Sequence, residues 1–267
     1  MGIRSRAAGA GMLRGAAVFW FVTAALGQAA FAAYIAAFYG VATIKGDWSS
    51  WNNVMFSGLI AGDVAGNAVI FGHIALAFAI TVGGPLQLVP MIRARAPGFH
   101  RWNGRIYMLT AFVMSIGGLY LTWARIDDLA SVLNGVAISL NGVLILFFAI
   151  MTLRRALARN IAAHHRWALR LFLAVSGVWF LRVMVMGWVL ANQGPAGLGD
   201  RLEGPAGTAL NFAAWAVPLA VLELYFLARD RGGIQVKRLM AVSLVLLTLL
   251  MAVGIVMAAL FMWLPQI

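Results

Sequence analysis

The 267-residue sequence has no cysteine. That absence removes disulfides, thiolate metal ligands and a lipid-modified cysteine anchor, and it leaves redox chemistry silent on the compartment. Charge is scarce as well. Only 10% of residues are Asp, Glu, Lys or Arg, where soluble domains carry about 25%. Acids are the scarcest, eight against twenty basic residues, and only two of those twenty are lysine. No nucleophile-base-orienter set, Walker loop or zincin motif is visible, which argues against a hydrolase or kinase. What is present is apolar: 63% of the chain, against about 45–50% in soluble domains. Several runs reach the roughly 20 residues needed to cross a bilayer. The chain reads as an all-α, polytopic membrane protein.

Seven apolar segments are predicted, at about 15–43, 66–91, 104–124, 131–153, 167–190, 209–228 and 239–263. Sixteen of the twenty basic residues fall on alternating connections, and six of the eight acids (Asp47, Asp63, Asp127, Asp128, Asp200, Glu203) fall on the other side. Basic loops face the cytoplasm. This places the N-terminus inside and the C-terminus in the periplasm of a bacterial inner membrane. The net charge of +12 is thereby explained by topology, and nucleic acid drops out as a partner. Trp102 and Trp167 then fall at the inner boundary, and Trp48, Trp51, Trp123, Trp188 and Trp263 at or near the outer one, as an aromatic belt requires. The first segment begins like a signal peptide, but its length favours a retained helix. Arg6 stands where a myristoylation site would need Ser or Thr.

One hexad occurs twice. His-Arg-Trp-x-x-Arg appears as His100, Arg101, Trp102 and Arg105, then as His165, Arg166, Trp167 and Arg170. Each copy begins an outward-going span, so spans two and three, and four and five, form two parallel hairpins and a four-helix core. Within each copy the arginines lie four apart, on one helical stripe. Such a stripe suits phosphate or carboxylate, which guanidinium binds bidentately. It equally suits anchoring to anionic phospholipid headgroups. If the third and fifth spans face each other, His100 and His165 approach as a bis-imidazole pair, the axial ligation of a haem b.

Ionisable residues inside membrane spans are functional candidates. His73 shares a stripe with Gly66, Ala77, Gly84 and Gln87. Arg182 lies sixteen residues beyond Arg166, roughly 24 Å deeper along a straight helix, near the depth of His73. Glu223, roughly 9 Å from the inner end of its span, is poorly matched in depth to Arg182. With no carboxylate at its level, Arg182 is expected to face the interior, toward span two. Asn141 reads as an interhelical hydrogen bond. Gly83-Gly84-Pro85 is expected to interrupt the second span, and Pro218 the sixth.

The order His73, GGPLQ, HRWNGRIY, HHRWALR and then Arg182 resembles the uncharacterised bacterial membrane proteins of domain-of-unknown-function family 2306, over roughly residues 70–185. The resemblance implies a helical core and marks Gln87, His100, Arg101, Gly104, Arg105, His165, Trp167, Arg170 and Arg182; it implies no activity. Three regions follow: 1–65 with one span and an outer loop, the four-helix core at 66–190, and two further spans at 191–267. The expected function is binding, sensing or transport of a small ligand, an anion by its match to the arginines, at a cytoplasmic site. That site comprises His73, Gln87, His100, Arg101, Arg105, His165, Arg166, Arg170 and Arg182. The alternative is a mono-haem b or quinone-linked electron carrier ligated by His100 and His165.

Overall fold

A computed structural model describes residues 3–55, 58–125 and 129–267. Asp127 and Asp128 lie outside them, as do the side chains of residues 1–7 and 126–130. All regular structure among the described residues is helical. The long elements are α1 (Ile3–Tyr34), followed by a π-helical turn (Ile35–Gly40) and α2 (Val41–Lys45); α3 (Val64–Leu88); α4 (Pro90–Arg95); and α5 (Pro97–Ala124). Then come α6 (Leu129–Leu157), α7 (Ile161–Val175), α8 (Gly177–Asn192), α9 (Pro205–Arg231) and α10 (Ile234–Ala258). Among the described residues six helices are long and apolar enough to span a bilayer, or seven where α7 and α8, bent by 52°, count as one broken span.

Helix starts follow the local chemistry. The Asp63 side chain accepts the Gly66 N–H at 2.8 Å and opens α3. Asn160 does the same for α7 through Ala163. Pro90, Pro97 and Pro205 occupy the first turn of α4, α5 and α9, where a missing N–H costs nothing. On α5 the exposed residues Trp102, Ile106, Leu109, Val113, Ile116 and Tyr120 recur every three or four positions, while Tyr107, Thr110, Ala111 and Ser115 are buried. The exposed stripe is the lipid face.

Two expectations of broken spans are corrected. The α3 helix runs unbroken through Gly83-Gly84-Pro85 and ends only at Val89, before Pro90. The two glycines serve packing instead. A Cβ on Gly84 would lie 3.2 Å from Phe172 and Tyr107, and the Gly83 carbonyl accepts a 2.9 Å bond from Asn103 Nδ2. Pro218 likewise sits inside a continuous α9. The real break is at Ser176, between α7 and α8.

Neighbouring helices close a ring: α1 against α3, α3 against α5, α5 against α6, α6 against α7, then α8 against α10 and α10 back against α1. The α9 helix packs on α6, α7, α8 and α10. The hexads begin α5 and α7 at one end of the ring, called the hexad end below. At the opposite end the π-helical turn carries an aromatic cluster, in which Tyr39 meets Trp51 (5.3 Å between ring centroids), Trp51 meets Phe71 (4.6 Å) and Phe31 meets Trp263 (5.4 Å).

Candidate functional site

At the hexad end the two copies share one local geometry. The second arginine folds over the tryptophan three residues earlier, Arg105 over Trp102 at 4.9 Å and Arg170 over Trp167 at 4.7 Å. This is the i, i+3 neighbour relation of a helix. Beyond that they diverge. Arg101, Trp102 and Arg105 are exposed. Arg170 makes a bidentate pair with Glu223 of α9, Nε to Oε1 at 2.7 Å and Nη2 to Oε2 at 2.8 Å. Arg166 pairs with Asp230, which also accepts from Arg229 at 2.7 Å. The Phe226 ring sits beneath the guanidiniums of Arg166, Arg229 and Arg170, at 4.1, 5.0 and 5.3 Å. Both acids lie on α9. Sequence reasoning compared Glu223 only with Arg182; the depth of Arg170 at this same end was the available signal.

The histidines divide differently from the expected pair. His165 is exposed and His100 half-buried. The charged and imidazole neighbours of His100 are Arg93, His164 and Arg101, while those of His165 are Arg93, Arg229 and His164. His164 Nδ1 lies 3.1 Å from the Thr152 carbonyl. Gln87 donates to the His100 carbonyl at 3.1 Å and ties α3 to α5. Among the described residues no three His, Asp or Glu side chains gather as a metal-binding group.

His73 and Arg182 stand apart from the hexads and together. Both line a cavity of about 330 Å³ formed between α1, the π-helical turn, α3, α5, α6 and the bent α7–α8 span. Tyr39 joins them at the end opposite the hexads. Arg182 Nη1 donates to the carbonyl of Val178, one turn back, at 3.2 Å, and its guanidinium lies 5.1 Å from the Phe31 ring. His73, Tyr34 and Tyr39 are within its electrostatic reach. Protein crowds the guanidinium, yet the side chain keeps partial accessibility because it borders the cavity. No carboxylate among the described residues pairs with it.

The cavity wall also carries polar atoms with no hydrogen-bond partner in the protein: His73 Nδ1, Tyr107 hydroxyl, Ser115 Oγ, Asn141 Oδ1 and Trp179 Nε1. Unmet buried polar groups cost roughly 1–3 kcal/mol each. Folded proteins leave few such groups unmet once ordered water is counted, and five of them belong to residues of this one wall.

The bend at Ser176 shapes this wall. Asn141 Nδ2 donates to the Ala174 carbonyl at 3.1 Å, at the end of α7. Gln28 Nε2 donates to Ser176 Oγ at 2.9 Å, which itself donates to the Phe172 carbonyl at 2.8 Å. A Cβ on Gly177 would lie 2.9 Å from Asn141 Nδ2, so glycine admits the amide. A second cavity of about 340 Å³ shares His73, Asn141 and Val178 with the first and extends to Asn211 and Trp215 of α9.

The sequence alone gives the first span no role beyond packing; in the structure it supplies Gln28, Phe31 and Tyr39 to the wall. A glutamine amid an apolar run was the overlooked signal.

The description "Predicted membrane protein (DUF2306)" matches the chain over residues 70–226, more than half of its length. The matched stretch holds the cavity walls from α3 to α8 and reaches Glu223, but leaves out α1. No curated protein and no solved structure matches the chain.

Proposed function

Because the chain belongs to the DUF2306 family of membrane proteins, whose description assigns no activity, we propose a function from the cavity. The protein binds a small anionic ligand within the membrane, between Arg182 and His73. One observation carries this reading: a guanidinium at membrane depth with no carboxylate among the described residues to pair with it. An intramembrane arginine is costly unless it meets an acceptor or water. A ligand oxyanion meets it with charge-assisted hydrogen bonds, and His73 and Ser115 line the same space. Binding is the step that sensing and transport share.

This moves the site away from the hexads. Arg166 and Arg170 already hold Asp230 and Glu223. Arg101, Arg105 and Trp102 are exposed and fit anionic phospholipid headgroups. The basic excess at that end supports a cytoplasmic orientation in a bacterial inner membrane. The haem b alternative draws less support, since His165 is exposed and it is His164 that neighbours His100.

The test is thermal unfolding of the purified chain with chloride, nitrate, acetate or phosphate, in wild type and Arg182→Gln. Stabilisation by an oxyanion that the variant loses is the expected result. Identical responses in the two proteins would refute the reading, and a Soret band in the purified protein would revive the haem alternative.

A further inference from the structure

The cavity has a shape as well as a charge. It runs along the ring interior from Phe172 to Arg182 on the bent span, and from Tyr107 to Gly118 on α5. These stretches hold eleven and twelve residues, roughly 15–17 Å of helix each. Arg182, His73 and Tyr39 line the end away from the hexads. Toward the hexad end the wall is largely apolar, with Ile80, Ala77, Ile145, Phe172 and Ala111. Its lining holds one guanidinium, one imidazole, no lysine and no carboxylate.

From these features we infer that the ligand is a monoanionic amphiphile: a carboxylate head at Arg182 with an unbranched apolar tail lying toward Tyr107 and Phe172. This rests on the anion-binding reading above and adds the tail to it. One guanidinium balances one negative charge, and a second charge would be left without a partner at membrane depth. An inorganic anion would fill only the Arg182 end and leave the apolar length without contact. The Arg182-lined cavity, about 330 Å³, lies at the lower bound for small-molecule sites, and the adjoining one of about 340 Å³ is not lined by Arg182, so the head and one short chain fill the space beside that guanidinium.

The full chain in nanodiscs of zwitterionic lipid, with radiolabelled octanoate as probe, tests this. Straight-chain monocarboxylates from butyrate to decanoate, together with octanol and octylamine, serve as competitors. Longer acids also partition into the bilayer, so raw affinities rise with length whatever the site. The decisive quantity is the ratio of wild type to Ala77→Leu at each length, in which bilayer partition cancels. Ala77 lines the cavity between His73 and Ile80, so a larger side chain there obstructs the tail and spares the head. The ratio should stay near one for butyrate and grow to roughly tenfold by octanoate, the loss of a few buried methylenes. Octanol and octylamine should compete poorly. Arg182→Gln should weaken octanoate roughly tenfold or more, with Arg182→Lys retaining part of the binding and size-exclusion profiles reporting the fold. A ratio independent of chain length, or octanol competing as well as octanoate, overturns the amphiphile while leaving anion binding intact. Octanoate binding that Arg182→Gln leaves unchanged overturns both.

Discussion

The two halves of the bent span carry Arg170 on α7 and Arg182 on α8, both toward the protein, and these two meet opposite fates. On α7, Arg170 is closed off by a bidentate carboxylate from α9 and by two aromatic rings. On α8, Arg182 has a backbone carbonyl and one ring, and otherwise faces a cavity. Removing two charges from water is offset only by close pairing and satisfied hydrogen bonds. Arg170 meets that condition inside the chain, so it is structural. Arg182 does not, so its compensation comes from a ligand or from water. The same reasoning explains why the duplicated hexad does not mean a duplicated role. Identical local sequence gives the same stack of arginine on tryptophan, while a third helix decides which copy acquires a carboxylate.

The sharpest challenge to this contrast is at Arg170. Arg170→Gln leaves the half-exposed Glu223 unpaired and should lower unfolding stability by about 2 kcal/mol, between an exposed and a buried pair. Adding Glu223→Gln should recover most of it, as read by denaturant or thermal unfolding in detergent. A silent Arg170→Gln would erase the difference between the two halves. Arg182→Gln should act with the opposite sign, raising the stability of the ligand-free protein by about 1–2 kcal/mol while oxyanion stabilisation disappears. A loss as large as that at Arg170 would mean that Arg182 has a structural partner after all.

Asn141→Ala removes the donor to the Ala174 carbonyl and should cost about 1 kcal/mol, with faster hydrogen exchange confined to the α7–α8 junction. Exchange spread evenly along both helices would show that the bend does not depend on this amide. Away from the bend, Arg125 bonds Asp63 at 2.7 Å and the Gly58 carbonyl at 2.6 Å. The Arg125 hydrogen bond, followed by the Gly66 N–H, holds the Asp63 carboxyl below its ordinary range. A depressed folded-state value stabilises above the unfolded value and is lost as pH falls through the folded one. Asp63→Asn should therefore lower the melting temperature at neutral pH slightly and flatten its decline below about pH 4. An acid limb identical to wild type would remove this pair from the stability balance. The smallest effect is expected at the exposed hexad, where Arg105→Gln should stay within about 0.5 kcal/mol. A larger loss there would give Arg105 a partner like that of Arg170.

Much of the scaffold was legible because a bilayer restricts what an apolar run can be. The second span was expected at 66–91 and observed at Val64–Leu88; the fifth was expected at 167–190 and runs from Ile161 to Asn192. Arg182 was expected to look inward toward span two, and it borders the cavity that His73 also lines. The bend was misplaced for a physical reason. Proline and glycine are the visible breakers, but Pro85 and the adjacent glycines sit where α5 and Phe172 press close. Ser176 breaks its helix through side chains from α1 and α6 that are remote in sequence. The Glu223 partnership was hidden likewise: charge bias reports which side of a membrane a residue is on, not which helix it faces. Spans that are apolar on every side carry no stripe to announce their neighbours, so the wall supplied by the first span could not be read from periodicity.

The ring of helices also sets an order of assembly. Its closing seam joins α1 to α10, the first long helix of the chain to the last. Contacts that distant in sequence form late. The α10 surface fits tightly on both neighbours: a Cβ on Gly254 would come within 2.5 Å of the Val183 carbonyl, and one on Gly27 within 2.6 Å of Ile255. During synthesis, until residues beyond Ile234 have entered the bilayer, α8 has no α10 beside it and the Val183 backbone stands at an open seam. Lipid fills that seam in the nascent protein. Biogenesis therefore passes through a state in which the ring is open between α8 and α1, and α10 is the helix that closes it.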